Sequence, residues 1–167
     1  MIRVSCCFTA FLALSAARLG AQTVEVSATG GLGVAAGDEQ TRTLVTGGGA
    51  SLGLLPLARH GFRLDYFFGD ASADDTRRHF LTGSYVLQQR DGKARPFLQI
   101  GAGLMRETTK AALPSPSGAS NDFAAILGAG VTIDIGQALF IRPELRTYWY
   151  VGPAVAILPG LSAGWRF

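Results

Sequence analysis

The run Leu161-Ser162-Ala163-Gly164-Trp165-Arg166-Phe167 ends the chain in alternation. Leu161, Ala163, Trp165 and Phe167 share one parity, which reaches back through Pro159 to Ile157. Ser162, Gly164 and Arg166 share the other. Successive side chains of a strand point to opposite faces, so this stretch predicts a last strand with one apolar and one polar face. Whether that strand is a local feature or the edge of a sheet depends on the parity upstream.

The same period recurs in segments of roughly ten residues separated by turn chemistry. The first covers about Thr23 to Ala35, with Val24, Val26, Ala28, Leu32 and Val34 in phase. After Gly37-Asp38-Glu39-Gln40 come Thr43 to Leu55, and then Phe62, Leu64, Tyr66 and Phe68 beyond a short Pro56-to-Gly61 link. Gly69 to Arg78 reads as a polar loop. Leu81, Tyr85 and Leu87 mark a fourth segment, which ends at the turn Arg90-Asp91-Gly92-Lys93. Leu98 to Leu104 and Phe123 to Ile133 flank a long loop, Arg106 to Asp122, and Asp134-Ile135-Gly136-Gln137 closes the sixth segment. Ile141 to Trp149 and Ile157 to Phe167 complete eight. Shorter links follow segments two, four and six, although the apolar link Val151-Gly152-Pro153-Ala154 breaks the alternation of lengths. An even strand number with both termini in the periplasm puts the short turns there and the longer loops outside.

The first residues read differently. Arg3 precedes an uncharged, mostly apolar stretch from Val4 to Ala17, too short for a spanning helix of about 20 residues. Leu19-Gly20-Ala21 offers a small-residue cleavage site, with Ser15-Ala16-Ala17 as a second one. The expectation is a signal peptide at 1–21 and one barrel domain at 22–167. Both cysteines, Cys6 and Cys7, fall within that leader, so no disulfide or thiol site is expected in the mature chain. Its removal takes Arg3 and Arg18 and no acid, lowering the formal charge from +3 to +1. With no basic stripe, nucleic acid is not an expected partner.

Alternation alone does not say which face is outside, because a soluble lipocalin-like barrel has the same period with its apolar face inward. Here the other face is mainly Gly, Ser and Thr with few charges, and those charges are of complementary sign. Aromatics of the apolar parity also sit near segment ends, as membrane-interface girdles require: Phe68, Phe80-Leu81, Phe123 and Trp149 at the outer end, Phe62, Trp165 and Phe167 at the inner. Phe97 and Phe140 have the wrong parity for the inner girdle, which points to a register shift or to a position just outside the hydrocarbon. The expected fold is all-β: an eight-stranded antiparallel up-and-down transmembrane β-barrel in the cell outer membrane.

The chain resembles the small eight-stranded outer-membrane proteins, such as the transmembrane domain of outer membrane protein A and its short relatives. The resemblance rests on the leader, the strand count, Pro96 to Gly103, Arg142-Pro143-Glu144-Leu145-Arg146 and the terminal aromatic. It implies that Leu161, Trp165 and Phe167 form a signal read by the barrel-assembly machinery, and that lipid and lipopolysaccharide surround a monomer. The peptidoglycan-anchoring role of longer relatives is not expected, since no such domain follows Phe167.

Glu25, Arg63, Asp65, Arg142, Glu144, Arg146 and Arg166 share the polar parity and form a candidate lumen charge network. Eight strands leave an interior just wide enough for side chains, so the expectation is a paired, plugged lumen with a structural or surface-interaction role. A small-solute channel is the alternative. A lipid A hydrolase is third: it needs a nucleophile, a base and an acid, and only His60 and His79 are available as bases. His60 falls in a turn on the wrong side. His79 lies near Asp74, Asp75 and Ser84 but lacks the His-x-Ser spacing of the outer-membrane deacylases. No catalytic, metal or cofactor site is expected, including from Gly47-Gly48-Gly49, which lacks a phosphate-loop context.

Overall fold

A sheet in hydrocarbon leaves no edge unpaired, because each unsatisfied N–H or C=O costs several kcal/mol there. The computed structural model, which describes residues 23–36, 42–57, 59–71, 76–89, 91–109, 119–150 and 154–167, meets that demand by closure. Its eight strands are β1 (Thr23–Ala36), β2 (Arg42–Leu57), β3 (His60–Ala71), β4 (Thr76–Gln88), β5 (Ala94–Thr109), β6 (Ala119–Ile135), β7 (Leu139–Tyr150) and β8 (Ala154–Arg166). Each pairs antiparallel with the next, and β8 returns to β1. The expected leader, Asp74, Asp75 and most of the Val151–Ala154 link lie outside the described residues.

The register gives the stagger of the barrel. Starting at Glu25, the paired residues run through Gly53, Arg63, Ser84, Gly101, Ile126, Tyr148 and Ala156, and arrive back on β1 at Ala35. One circuit therefore climbs from residue 25 to residue 35. An even climb is what keeps every strand's inward parity inward across the closing seam, and it tilts the strands by roughly 40°. The closing contact is the chain terminus itself: the Phe167 amide donates to the Val24 carbonyl at 2.9 Å.

The apolar parity is outside. Leu32, Phe62, Ile100 and Leu104 are 61–62% exposed, while Arg63, Arg142 and Arg146 are at most 4% exposed. Phe68, Phe123, Trp149, Phe62, Trp165 and Phe167 all stand on the exterior. Three expectations need correction. Phe80 is not part of the outer girdle: it shares parity with Thr82 and Ser84 and is buried inside, and only Leu81 of that pair faces out. Phe97 and Phe140 mark no register shift, and what keeps them from the girdle is a position in the lumen rather than one just outside the hydrocarbon. They are buried at 4% and 1%, in unbroken register with Gln88 and Gly130 and with Asp134 and Gly164. The polar loops are also shorter than expected. Strands β3 and β4 continue into the Gly69-to-Arg78 stretch, where Asp70 pairs with Arg77, and β5 and β6 continue through Arg106–Asn121 and Glu107–Ser120. Polar cross-strand pairs extend the sheet beyond its apolar belt.

Turn chemistry accounts for the two positive-φ residues: Gly92 at 108° and Gly136 at 78° sit in the β4–β5 and β6–β7 links. Three ladders are irregular among the described residues: β2–β3 shifts register between Leu54 and Leu57, and two others are interrupted at a lipid-facing proline. The β1–β8 pairs pass from Gly31↔Gly160 to Val34↔Ile157, skipping Pro159, and the β6–β7 pairs pass from Gly130↔Glu144 to Ile133↔Ile141, skipping Pro143. Proline has no amide hydrogen to place in the ladder.

Glycine works differently on the two faces. A Cβ on inward-facing Gly103 would collide with the Leu81 carbonyl oxygen and the Thr82 Cα, whereas one on outward-facing Gly83 would meet nothing within 4 Å. Gly103→Val is therefore expected to destabilise the barrel by about 1–3 kcal/mol, as overpacking does, and Gly83→Val to leave it unchanged or firmer. Urea unfolding in detergent, followed by heat-modifiable gel migration, separates the two.

Candidate functional site

Strands β3 and β7 carry most of the ionic residues because they place charge on three successive inward positions or nearly so: Arg63 and Asp65 on one, Arg142, Glu144 and Arg146 on the other. The two strands lie across the barrel from one another, so their side chains meet in the lumen. Three storeys result.

The storey nearest the chain ends is a ring of ion pairs. Arg166 bridges Glu25 at 2.7 Å and Asp134 at 2.9 Å, Arg95 reaches the same Asp134 oxygen at 2.8 Å, and Arg142 holds the other Glu25 oxygen at 2.5 Å. Aromatic rings are interleaved with these guanidiniums. Phe97 lies between Arg63 and Arg142, 5.5 and 5.2 Å from the ring centre, and Phe140 lies between Arg142 and Arg166, at 4.7 and 5.5 Å. Each ring offers its negative face to two cations that are taken out of water, where such contacts are strongest. A void of about 10 Å³ between Glu25, Gln88, Phe97 and Arg142 has room for about one water molecule.

The middle storey is centred on Glu144. It accepts from Arg146 at 2.6 Å, Arg63 at 3.2 Å and the Ser162 hydroxyl at 2.5 Å. Asp65 accepts from Arg63 at 3.1 Å and Ser51 at 2.6 Å, and lies 3.4 Å from Arg146. Gln99 takes a further Arg63 hydrogen bond, and Thr29 joins Ser162 at 2.6 Å. Two carboxylates thus share two guanidiniums, with Ser51 and Ser162 donating to the carboxylates and Gln99 accepting from Arg63.

The outer storey is apolar. Tyr148 stacks with Phe80 at 4.5 Å between ring centres and faces Phe67 at 6.4 Å, among Val45, Met105, Ile126 and Leu158. The Tyr148 hydroxyl and Thr82 Oγ1, at the boundary with the polar storey, have no hydrogen-bond partner among the described residues. Above this layer Arg78 pairs with Glu107 at 2.7 Å and lies over Tyr150.

All seven members of the candidate network, from Glu25 to Arg166, lie on the inner wall, but they form two groups. Glu25, Arg142 and Arg166 join the end ring; Arg63, Asp65, Glu144 and Arg146 make the middle cluster. Sequence reading omitted Asp134 and Arg95, and it missed the aromatic residues of the lumen. Parity was the available signal for the latter: Phe97 shares it with Gln99, Phe140 with Arg142, and Phe67 with Asp65.

The histidines stand apart from these groups. His60 opens β3 rather than lying in a turn, and its Nδ1 is bonded to the Tyr85 hydroxyl on the exterior. His79 Nδ1 bonds the Tyr66 hydroxyl at 2.8 Å, also outside. Ser84 is inside, where its hydroxyl donates to the Arg63 carbonyl at 3.3 Å, so the barrel wall separates it from His79. Among the described residues no group of His, Cys, Asp or Glu gathers in a way that would hold a metal ion.

No protein-family model and no curated protein matches the chain. Solved structures do. Neisserial surface protein A superposes with a TM-score of 0.72 at 12% identity, covering 89% of this chain and 98% of that one. The N-terminal β-barrel domain of Pseudomonas aeruginosa OprF gives 0.61 at 19%, covering 87% and 97%. Ail, the attachment invasion locus protein of Yersinia pestis, solved with the heparin analogue sucrose octasulfate, gives 0.66 at 11%, covering 89% and 100%. The chain has the fold of the small eight-stranded Gram-negative outer-membrane barrels, and its exposed apolar belt suits it to that membrane.

Glu144 is the shared acceptor of the middle storey, and removing it leaves Arg63 and Arg146 short of a counter-charge in a dry interior. Glu144→Leu is expected to cost about 3–5 kcal/mol, the range for breaking a buried pair from one side. Glu107→Leu at the outer mouth, which removes a partly exposed pair, is expected to cost about 1 kcal/mol or less. Equilibrium unfolding of the two variants checks the ranking.

Proposed function

We propose that this outer-membrane barrel is a non-enzymatic, monomeric protein whose role is structural or surface-interacting, exercised through the connections at the end remote from the chain termini. The observation that carries this reading is the filled lumen. Ion pairs close one half and packed aromatic rings close the other, so a solute would have to break both a charge network and an apolar layer. The absence of a catalytic role is supported by the placement of His79 and Ser84 on opposite sides of the wall. A small-solute channel is the competing reading, favoured by the continuous run of arginines from Arg95 and Arg166 inward to Arg146.

Planar bilayers containing the purified barrel distinguish these. The expected record is electrically silent, and it is expected to stay silent when Phe67, Phe80 and Tyr148 are jointly replaced by alanine, because the ion pairs still close the other half. Stable single-channel steps from the unaltered protein, changed by Arg142→Gln or Arg146→Gln, would defeat the plugged-lumen reading.

The closing strand is proposed as the contact for the barrel-assembly machinery. Leu161, Trp165 and Phe167 present an exposed apolar row beside the seam, and the Phe167 backbone completes it. Deleting Phe167 is expected to reduce the heat-modifiable, outer-membrane form in cell fractions, while Phe167→Tyr largely preserves it. Equal yields from the deletion and the parent would remove this role.

A further inference from the structure

The exterior of the barrel is apolar until its outer end, and on the wall made by β3 to β6 the change is abrupt. One rung reads Tyr66, Leu81, Leu104 and Phe123 across the four strands. The next reads Phe68, His79, Arg106 and Asn121, and beyond it Asp70 faces Arg77. All these positions have outward parity. The opposite wall carries Trp149, Ile157, Val34 and Leu44 towards its outer end.

The pair at the boundary has unused donors. Asp70 and Arg77 satisfy each other through two hydrogen bonds, at 2.7 and 3.2 Å. Arg106 is exposed and makes no ion pair with any described carboxylate; its neighbour Glu107 points into the mouth, towards Arg78. The Tyr66 hydroxyl occupies Nδ1 of His79, which fixes the ring and leaves Nε2 as the nitrogen that faces away. His79 and Arg106 are directly paired across adjacent strands, whose spacing is about 5 Å, which is close enough for both to reach one small anion.

We propose that Arg106 and His79 form a docking site for a phosphate monoester on a glycolipid of the outer leaflet, its acyl chains lying along Tyr66, Leu104 and Phe123. This rests on the outer-membrane reading above. Height selects a lipid headgroup: the two donors stand one rung above the last apolar row, where the headgroup of a lipid packed against that row lies. Charge selects a monoester. It is a near-dianion with three acceptor oxygens and engages both donors, whereas the phosphodiester of a phospholipid carries one charge. The neutral Asp70–Arg77 pair forms the lip above.

The test uses the full barrel released from detergent with defined lipid, with retained lipid counted by native mass spectrometry. The probes are bisphosphorylated lipid A, the same lipid A without phosphates, and phosphatidylglycerol. The parent is expected to retain bisphosphorylated lipid A at least about tenfold better than either other lipid, the scale of a lost charge-assisted bond pair. Arg106→Gln and His79→Gln are each expected to erase most of that preference, while Lys93→Gln at the opposite rim keeps it. Equal retention of the dephosphorylated lipid, or a preference that survives Arg106→Gln, overturns the site. Equal retention of phosphatidylglycerol overturns the monoester assignment. Heat-modifiable migration of each variant shows that it is folded, and outer-membrane fractionation of the parent reports separately on the location it rests on.

Discussion

Closure is the constraint on which the rest depends. Backbone groups facing hydrocarbon have no water to turn to, so the last strand must pair with the first, and Phe167 meets Val24 to finish the ladder. The even climb from Glu25 to Ala35 follows from it. A barrel whose seam shifted by one residue would turn Leu161 and Trp165 inward and Ser162 and Arg166 into lipid. The two proline interruptions are tolerated because the neighbouring rungs on both sides are intact.

Closure around eight strands leaves a narrow interior, and that interior sets the chemistry. Charges placed there cannot be solvated, so they appear in nearly balanced sets, with Ser51 and Ser162 donating to the carboxylates and Gln99 and Thr29 accepting from the guanidiniums. Guanidiniums outnumber what the carboxylates alone can surround, and Phe97 and Phe140 serve the remaining faces. The aromatic storey above needs no charge partner. Its cost is confined to the boundary, at Tyr148 and Thr82.

Much of this was legible in order. Parity located all eight strands and the inward direction of Glu25, Arg63, Asp65, Arg142, Glu144, Arg146 and Arg166, since a period of two survives whatever the neighbours do. It failed where residue type was allowed to overrule it. Phe80 was assigned to the outer girdle because it is apolar, although its parity placed it inside, and the inward parity of Phe97 and Phe140 was put down to a register shift or a place just outside the hydrocarbon rather than to a position in the lumen. Strand ends were the other weak point. Asp70, Arg77, Arg106 and Glu107 look like loop residues singly, and they are strand residues because each finds a partner across the ladder above the belt.

By itself the sequence determined the alternation, the strand count and the balance of charge on the inner face, because these are properties of residues spaced along one strand. Only the tertiary structure decided which charges meet. Glu144 and Arg63 are 81 positions apart, and Glu25 and Arg166 are 141 apart. Their contact depends on the stagger of the closed sheet, which sets every strand's height against the others. The same stagger aligns His79 with Arg106 on the outside and stacks Phe97 and Phe140 between arginines on the inside. No spacing within a single segment encodes those meetings.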